Sequence, residues 1–135
     1  MSIHPTIQQW QNARHEIGII EFSTSDDALK RFPHSIRRGH TSIGTAEADL
    51  LCIDDATGEL LLFDHEVADR IHCHCAATQE HFIAALRILE DHFDRCGESD
   101  DYSNDEAAGL AAIGRATAAA GGSKYEPMYH SMVGF

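Results

Sequence analysis

Residues 50–63 of the chain, LLCIDDATGELLLF, predict the centre of the fold. Two apolar runs, Leu50 to Ile53 and Leu60 to Phe63, flank a polar connection that contains Gly58. Short apolar runs bounded by turn residues are typical of strands, and two of them this close predict a hairpin. Gly58 can adopt the positive φ that such a connection usually requires.

Neither run alternates between apolar and polar residues. Leu50 and Cys52 would face one side of the hairpin. Leu51 and Ile53 would face the other side, so both faces are apolar. Strands of this kind lie inside a sheet that is covered on both sides. We therefore expect the hairpin to form the centre of the core.

The residues before the hairpin predict alternating helices and strands. Apolar spacing indicates a helix from about Thr6 to Glu16 and a short strand at residues 19–22. Ser25 is a typical N-cap for a second, short helix that Pro33 would end. A further short strand is expected near residues 42–44.

The residues after the hairpin predict one strand and three helices. Arg70 to Cys75 alternates and indicates a half-buried strand near the sheet edge. Thr78 would cap a long helix that ends at Gly97, with an apolar stripe of Phe82, Ala85, Leu86, Leu89 and Phe93. Ser103 and Glu106 have the spacing of a capping box for a second helix, with Leu110 and Ile113 on its buried face. Beyond two glycines, a short final helix carries Tyr125, Met128, Tyr129, Met132 and Phe135.

The chain is strongly acidic, with 22 Asp and Glu against 10 Lys and Arg and a formal net charge of −12. This balance excludes nucleic acid and anionic membranes as expected partners, because phosphate binding requires clustered Lys and Arg. It favours basic protein partners, whose encounter it would accelerate. At 135 residues the chain is expected to form a single domain.

The first ten residues have no basic region followed by an apolar stretch, so we expect no signal peptide. No run approaches the roughly 20 apolar residues of a membrane span. A cytoplasmic location is therefore expected. The four cysteines, Cys52, Cys73, Cys75 and Cys96, are expected to be reduced thiols in that compartment.

The segment His72-Cys73-His74-Cys75 is the most prominent candidate for metal binding. Neighbouring residues on a strand face opposite sides, so the segment offers at most two ligands on each face, whereas zinc usually requires about four. His65 or His81 would have to complete such a site. We expect instead that both cysteines are small core residues and both histidines are surface or groove residues, with no metal and no cofactor.

An enzymatic alternative rests on Asp64, His65, His72 and His74, which would supply carboxylates beside histidines for acid–base or metal chemistry. The sequence contains no nucleophile elbow, phosphate loop or dinucleotide fingerprint to support it. We therefore expect no catalytic residues.

The acidic segment that follows the long helix is the candidate partner-binding site. Its candidate contact residues are Glu98, Asp100, Asp101 and Tyr102. An aromatic side chain among carboxylates suits an interface with a basic protein. We expect this segment to be an exposed loop.

Three features together resemble the SUKH superfamily of Smi/Knr-type proteins. The first is the hairpin itself, in which Asp49 to Asp54 passes through Thr57-Gly58-Glu59 to a second strand ending in Asp64-His65-Glu66. The second is the strand at Ile71 leading to a helix with Glu80-His81-Phe82-Ile83 near its start. The third is the short helix after Gly121-Gly122.

The resemblance implies a fold and a class of function. The fold would be a single α+β domain over residues 1–135, with a central, mostly antiparallel sheet and helices packed against it, including the C-terminal helices. Bacterial members are mostly regarded as immunity proteins that neutralise secreted toxins, often nucleases, and eukaryotic relatives act in cell-wall assembly as binding proteins. The resemblance implies no catalytic residues.

Three hypotheses follow for the function. The first is a non-enzymatic immunity protein that binds a basic toxin domain. The second is a small metal-dependent or acid–base enzyme that uses His65, His72 and His74. The third is a structural or regulatory adaptor that forms a homodimer through the Met and Tyr residues of the C-terminal helix.

Overall fold

The computed structural model describes residues 2–31, 38–67 and 70–135. Its centre is a six-stranded antiparallel sheet in which each strand pairs with its neighbours in sequence. The strands are β1 (Glu16–Ile17), β2 (Ile20–Phe22), β3 (His40–Ala46), β4 (Asp49–Asp54), β5 (Leu60–Phe63) and β6 (Ile71–Ala76). The helices are α1 (Pro5–Ala13), α2 (Ser25–Arg31), α3 (Gln79–Glu98), α4 (Asp100–Ser103), α5 (Glu106–Ala120) and α6 (Glu126–Val133), with a 3₁₀ turn at Ser123–Tyr125. The expected single α+β domain is confirmed.

The central hairpin is also confirmed. Strands β4 and β5 pair antiparallel, from Leu50 opposite Phe63 to Ile53 opposite Leu60. Gly58 has a φ of 80°, as the connection requires. All eight residues of the two apolar runs are buried, because the sheet is covered on both faces at this point.

The two faces of the hairpin enter different clusters. Leu51 and Ile53 belong to the large core that includes residues of α3, α5 and α6. Leu50 and Cys52 join a smaller cluster with Leu61, Phe63 and Ala28 of α2. The absence of alternation in the sequence therefore follows from burial on both sides.

Two details at the N-terminal end differ from the prediction. Helix α1 ends at Ala13 because Arg14 adopts a left-handed conformation with φ 49°, and Glu16 belongs to β1. Thr24, not Ser25, caps α2, since its Oγ1 accepts a hydrogen bond from the Asp27 backbone N–H at 3.3 Å. The predicted end of this helix at Pro33 lies outside the described residues.

The long helix follows the prediction closely. Thr78 caps α3 by accepting from the His81 backbone N–H at 3.2 Å, and the helix continues through Gly97 to Glu98. Helix α5, for which Ser103 was the predicted cap, is capped by Asp105 instead. Leu110, predicted to be buried, is 45% exposed, so the buried face of α5 is formed mainly by smaller residues.

The C-terminal helix packs into the core of its own chain. Met128, Tyr129 and Met132 are buried, and the Tyr129 hydroxyl donates to the Cys75 carbonyl at 2.5 Å. The Met and Tyr surface that the homodimer hypothesis requires is therefore not exposed. Phe135, which follows this helix, is exposed. Among the described residues, no helix has the length and apolar character needed to cross a membrane.

Candidate functional site

The acidic segment after α3 is a short helix and not the predicted loop. Glu98 is the last residue of α3, and Asp100, Asp101 and Tyr102 lie on the one-turn helix α4. Ser99 caps this turn, with its Oγ accepting from the Tyr102 backbone N–H at 3.2 Å. The carboxylates of Asp100 and Asp101 lie in the first turn, where the helix dipole favours negative charge.

Tyr102 holds this turn against α3. Its hydroxyl is joined to His92 Nδ1 by a 2.9 Å hydrogen bond. The centroids of the two rings are 5.3 Å apart, and the ring planes are inclined at 56°. The Arg95 guanidinium lies 5.9 Å from the centre of the Tyr102 ring. Because Tyr102 is half-buried in these contacts, it contributes to the shape of the segment as well as to its surface.

His92 was missed by the sequence analysis. It is only 4% exposed and lies on the buried face of α3, three residues after Leu89. Its position in the helical stripe was a usable signal, but a histidine there looks like an interruption of the apolar pattern. The structure shows that it is the partner that positions Tyr102.

The packing at His92 predicts a pH dependence of stability. Burial lowers the pKa of His92 below its usual range, and the positive charges of Arg115 and Arg95 lower it further. The nearby carboxylate of Asp91 acts in the opposite direction but is outweighed. The unfolded chain therefore takes up a proton, below about pH 6.5, more readily than the folded chain. The stabilisation by neutral His92 is present above that pH and is lost as the pH falls.

The variant His92→Gln would test this pH dependence, because glutamine keeps a hydrogen-bonding side chain but does not titrate. The difference in unfolding free energy between wild type and variant, from urea denaturation, is expected to be larger at pH 7.5 than at pH 5.5. An equal difference at both pH values would contradict the role assigned to His92.

The candidate carboxylates are exposed and carry unneutralised charge. Glu98, Asp100 and Asp101 are all exposed. Within the described parts of the chain, none of the three forms an ion pair within 4.0 Å, in contrast to Asp27 with Arg14 or Asp91 with Arg95. The segment therefore presents a compact group of free negative charges on a structured turn.

A second group of polar residues lies at the start of β4, around Asp49. This residue is 8% exposed, and it was not among the candidate site residues predicted from the sequence. His65 Nδ1 donates to Asp49 Oδ1 at 2.8 Å, and His72 Nδ1 contacts Asp49 Oδ2. Burial alone would raise the pKa of Asp49, but the hydrogen bonds from His65 and His72 outweigh it and lower the pKa. The bond to Asp49 raises the pKa of His65.

His74 does not belong to this group. Its Nδ1 donates to Glu59 Oε1 at 3.0 Å, and Glu59 also accepts from Tyr125 and pairs with Lys124, both at 2.8 Å. Burial alone would raise the pKa of Glu59, but Lys124, Tyr125 and His74 lower it. The structure therefore separates His74 from His65 and His72, which the enzyme hypothesis had combined.

Strand β6 lies at the sheet edge as predicted, but its side chains do not alternate as predicted. The register with β5 shifts twice, once between Leu60 and Leu61 and once between Leu62 and Phe63. His72 and Cys73 consequently line one cavity of about 230 Å³ together with Asp49. Burial raises the pKa of Cys73, so this thiol is a poor nucleophile.

Comparison with known proteins adds no identification. No family model, no curated protein and no solved structure matches the chain. The resemblance to the SUKH superfamily therefore remains a prediction from the sequence.

Proposed function

We propose that this chain is a non-enzymatic, acidic binding protein of the SUKH type that binds and neutralises a basic toxin domain, such as a nuclease. The observation that supports this most directly is the group of free, exposed carboxylates on α4 and at the end of α3. A nuclease active site that binds phosphate is basic, so a compact acidic surface complements it. Tyr102 would supply aromatic contact area beside the charges.

The anchoring of α4 also supports binding. Ser99 caps the turn, and Tyr102 holds it against His92. A surface that is already ordered loses less conformational entropy when a partner binds, and more of the interaction energy appears as affinity. A mobile acidic loop would lack this advantage.

The proposal places the chain in the cytoplasm, where an immunity protein would protect the cell that makes the toxin. The free thiols of Cys73, Cys75 and Cys96 are compatible with a reducing compartment.

The neighbouring gene identifies the partner to test, since we expect it to encode a protein with a basic C-terminal toxin domain. Co-expression of this chain is expected to restore growth of cells that express the isolated toxin domain. Binding of the two purified proteins in a 1:1 complex would support the same conclusion. A neighbouring toxin domain that neither binds the chain nor is inhibited by it would overturn the proposal.

The acidic surface makes a further prediction about the rate of association. The double variant Asp100→Lys and Asp101→Lys is expected to associate with the toxin domain at least about tenfold more slowly at low salt, because it loses electrostatic steering. The difference should shrink as salt is added, since salt screens exposed charges. Stopped-flow or biolayer interferometry measures both effects.

A matched control distinguishes the effect of this surface on the association rate from the effect of net charge. Asp26 and Glu16 are exposed and without an ion pair among the described residues, and Asp26 also lies in the first turn of a helix. The double variant Asp26→Lys and Glu16→Lys changes the net charge equally and is expected to affect the rate much less. Equal slowing by both pairs would reject α4 as the contact site.

A further inference from the structure

Three potential metal ligands meet where β4 begins and β5 ends. Leu50 pairs with Phe63, so the residues just outside this pair, Asp49 and Asp64, are also brought close together. Ligand atoms of Asp49, Asp64 and His65 all lie within 4.8 Å of one another. This convergence arises from the hairpin register, and it combines two carboxylates with an imidazole.

Hydrogen bonds hold both carboxylates in place, and those of Asp64 leave one of its two oxygens available. Asp64 Oδ1 accepts from the backbone N–H groups of Glu66 at 2.7 Å and Val67 at 3.2 Å. The other oxygen of Asp64 takes part in no hydrogen bond within the described chain. Asp49 is oriented by His72 on Oδ2, and its Oδ1 accepts from the backbone N–H of His65 at 3.2 Å and from His65 Nδ1 at 2.8 Å. A metal ion bound between Oδ1 and Nδ1 would replace that Nδ1 proton, which is released to solvent.

We propose that Asp49, Asp64 and His65 bind one Zn²⁺ ion. Zinc accepts carboxylate oxygen and imidazole nitrogen at about 2.0–2.2 Å, which in tetrahedral geometry separates the ligand atoms by roughly 3.3–3.6 Å. The present separations reach this arrangement through side-chain movements on the order of 1 Å, a small change for residues at strand ends. Two carboxylates balance the charge of the ion, and the imidazole favours zinc over calcium or magnesium.

The surroundings match the usual design of such sites. His72 contacts the buried carboxylate of Asp49 from the side opposite His65, as outer-shell groups orient metal ligands. The His65 side chain is 41% exposed, so solvent reaches the ion position and can complete its coordination. The site shares no residue with the acidic surface of α4, so the inference does not depend on the proposed function.

Zinc would connect the start of β4 to the residues that follow β5. A ligand that binds only the folded state stabilises that state, by an amount that grows with the logarithm of the ligand concentration once this exceeds the dissociation constant. We therefore assign the site a stabilising role. This assignment differs from the expectation drawn from the sequence, which placed no metal in the chain.

The test is titration of the chelator-treated full chain with Zn²⁺ by calorimetry at pH 7.5, repeated with Co²⁺ to record the visible spectrum of the bound ion. We expect one ion per chain in the tightest class of sites. Asp64→Asn removes the charge but keeps an oxygen for the two backbone N–H groups, and His65→Gln removes the imidazole. Each variant is expected to lower the affinity of the tightest zinc site at least tenfold and to abolish the zinc-induced rise in melting temperature.

The control is His74→Gln, which removes a histidine that also pairs with a carboxylate, Glu59, but lies outside the proposed site. It is expected to retain the wild-type affinity and Co²⁺ spectrum. The proposal is overturned if the wild type shows only weak binding of several ions per chain, with no tighter site for a single ion. It is equally overturned if Asp64→Asn and His65→Gln bind as the wild type does, or if His74→Gln weakens binding as strongly as they do.

Discussion

Replacing Leu89 with alanine is expected to lower the free energy of unfolding by about 2–5 kcal/mol, the usual range for removing a buried leucine. Leu89 is completely buried in the main core, where α3 packs against both α5 and the sheet. The truncated side chain leaves a cavity that the surrounding packing only partly fills. Urea denaturation followed by circular dichroism measures the change.

Leu110→Ala is the matched control, because the same chemical change is made on α5 at a side chain that is 45% exposed. Its effect is expected to stay within about 0.5 kcal/mol, as for most surface substitutions. Equal losses at the two positions would mean that Leu110 is buried, as the sequence pattern had suggested, and that the packing of α5 is different from that described here.

Replacing Gly44 with alanine is expected to cost about 1–3 kcal/mol, the range for overpacking a closely packed site. Gly44 lies in β3, opposite Phe22 of β2 and Leu51 of β4. A Cβ atom at this position would lie 2.4 Å from the Glu21 carbonyl oxygen and 3.1 Å from the Phe22 Cα. These are backbone atoms of a paired strand, so relief requires the strand itself to move.

Gly114→Ala serves as the opposite case. Gly114 is exposed in α5, and a Cβ atom there would meet nothing within 4 Å. Alanine is expected to raise the free energy of unfolding by about 0.5–1 kcal/mol, because it restricts the unfolded chain and favours the helix. The two substitutions are therefore expected to change the free energy of unfolding in opposite directions, which thermal or urea unfolding measures. A stabilising Gly44→Ala would contradict the close approach of β2 and β3.

The sequence predicted helix caps and turns well where the stabilising contacts join residues only a few positions apart. Thr78 as an N-cap and Gly58 with positive φ both depend on contacts within one turn, and both are confirmed. The two wrong N-cap predictions chose between candidates one or two residues apart, Thr24 against Ser25 and Asp105 against Ser103. Each of these residue types is a good N-cap, so the sequence pattern does not distinguish them.

The candidate sites were predicted only in part. The sequence located the acidic segment, because a cluster of like charges is visible without a fold. It did not find His92, which positions Tyr102 from ten residues away. It also grouped His74 with His65 and His72, because strict alternation along β6 ignores the two register shifts that redirect these side chains.

The sequence by itself determined the paired, doubly buried strands of residues 50–63 and the acidic character of the surface. Both depend on properties that add along the chain, namely apolar character and charge. Only the tertiary structure decided which polar groups meet. Asp49 and His72 are 23 residues apart in sequence, and they come together because the register of three strands places them there. A contact between distant residues depends on how the whole sheet is packed, and no local pattern encodes it.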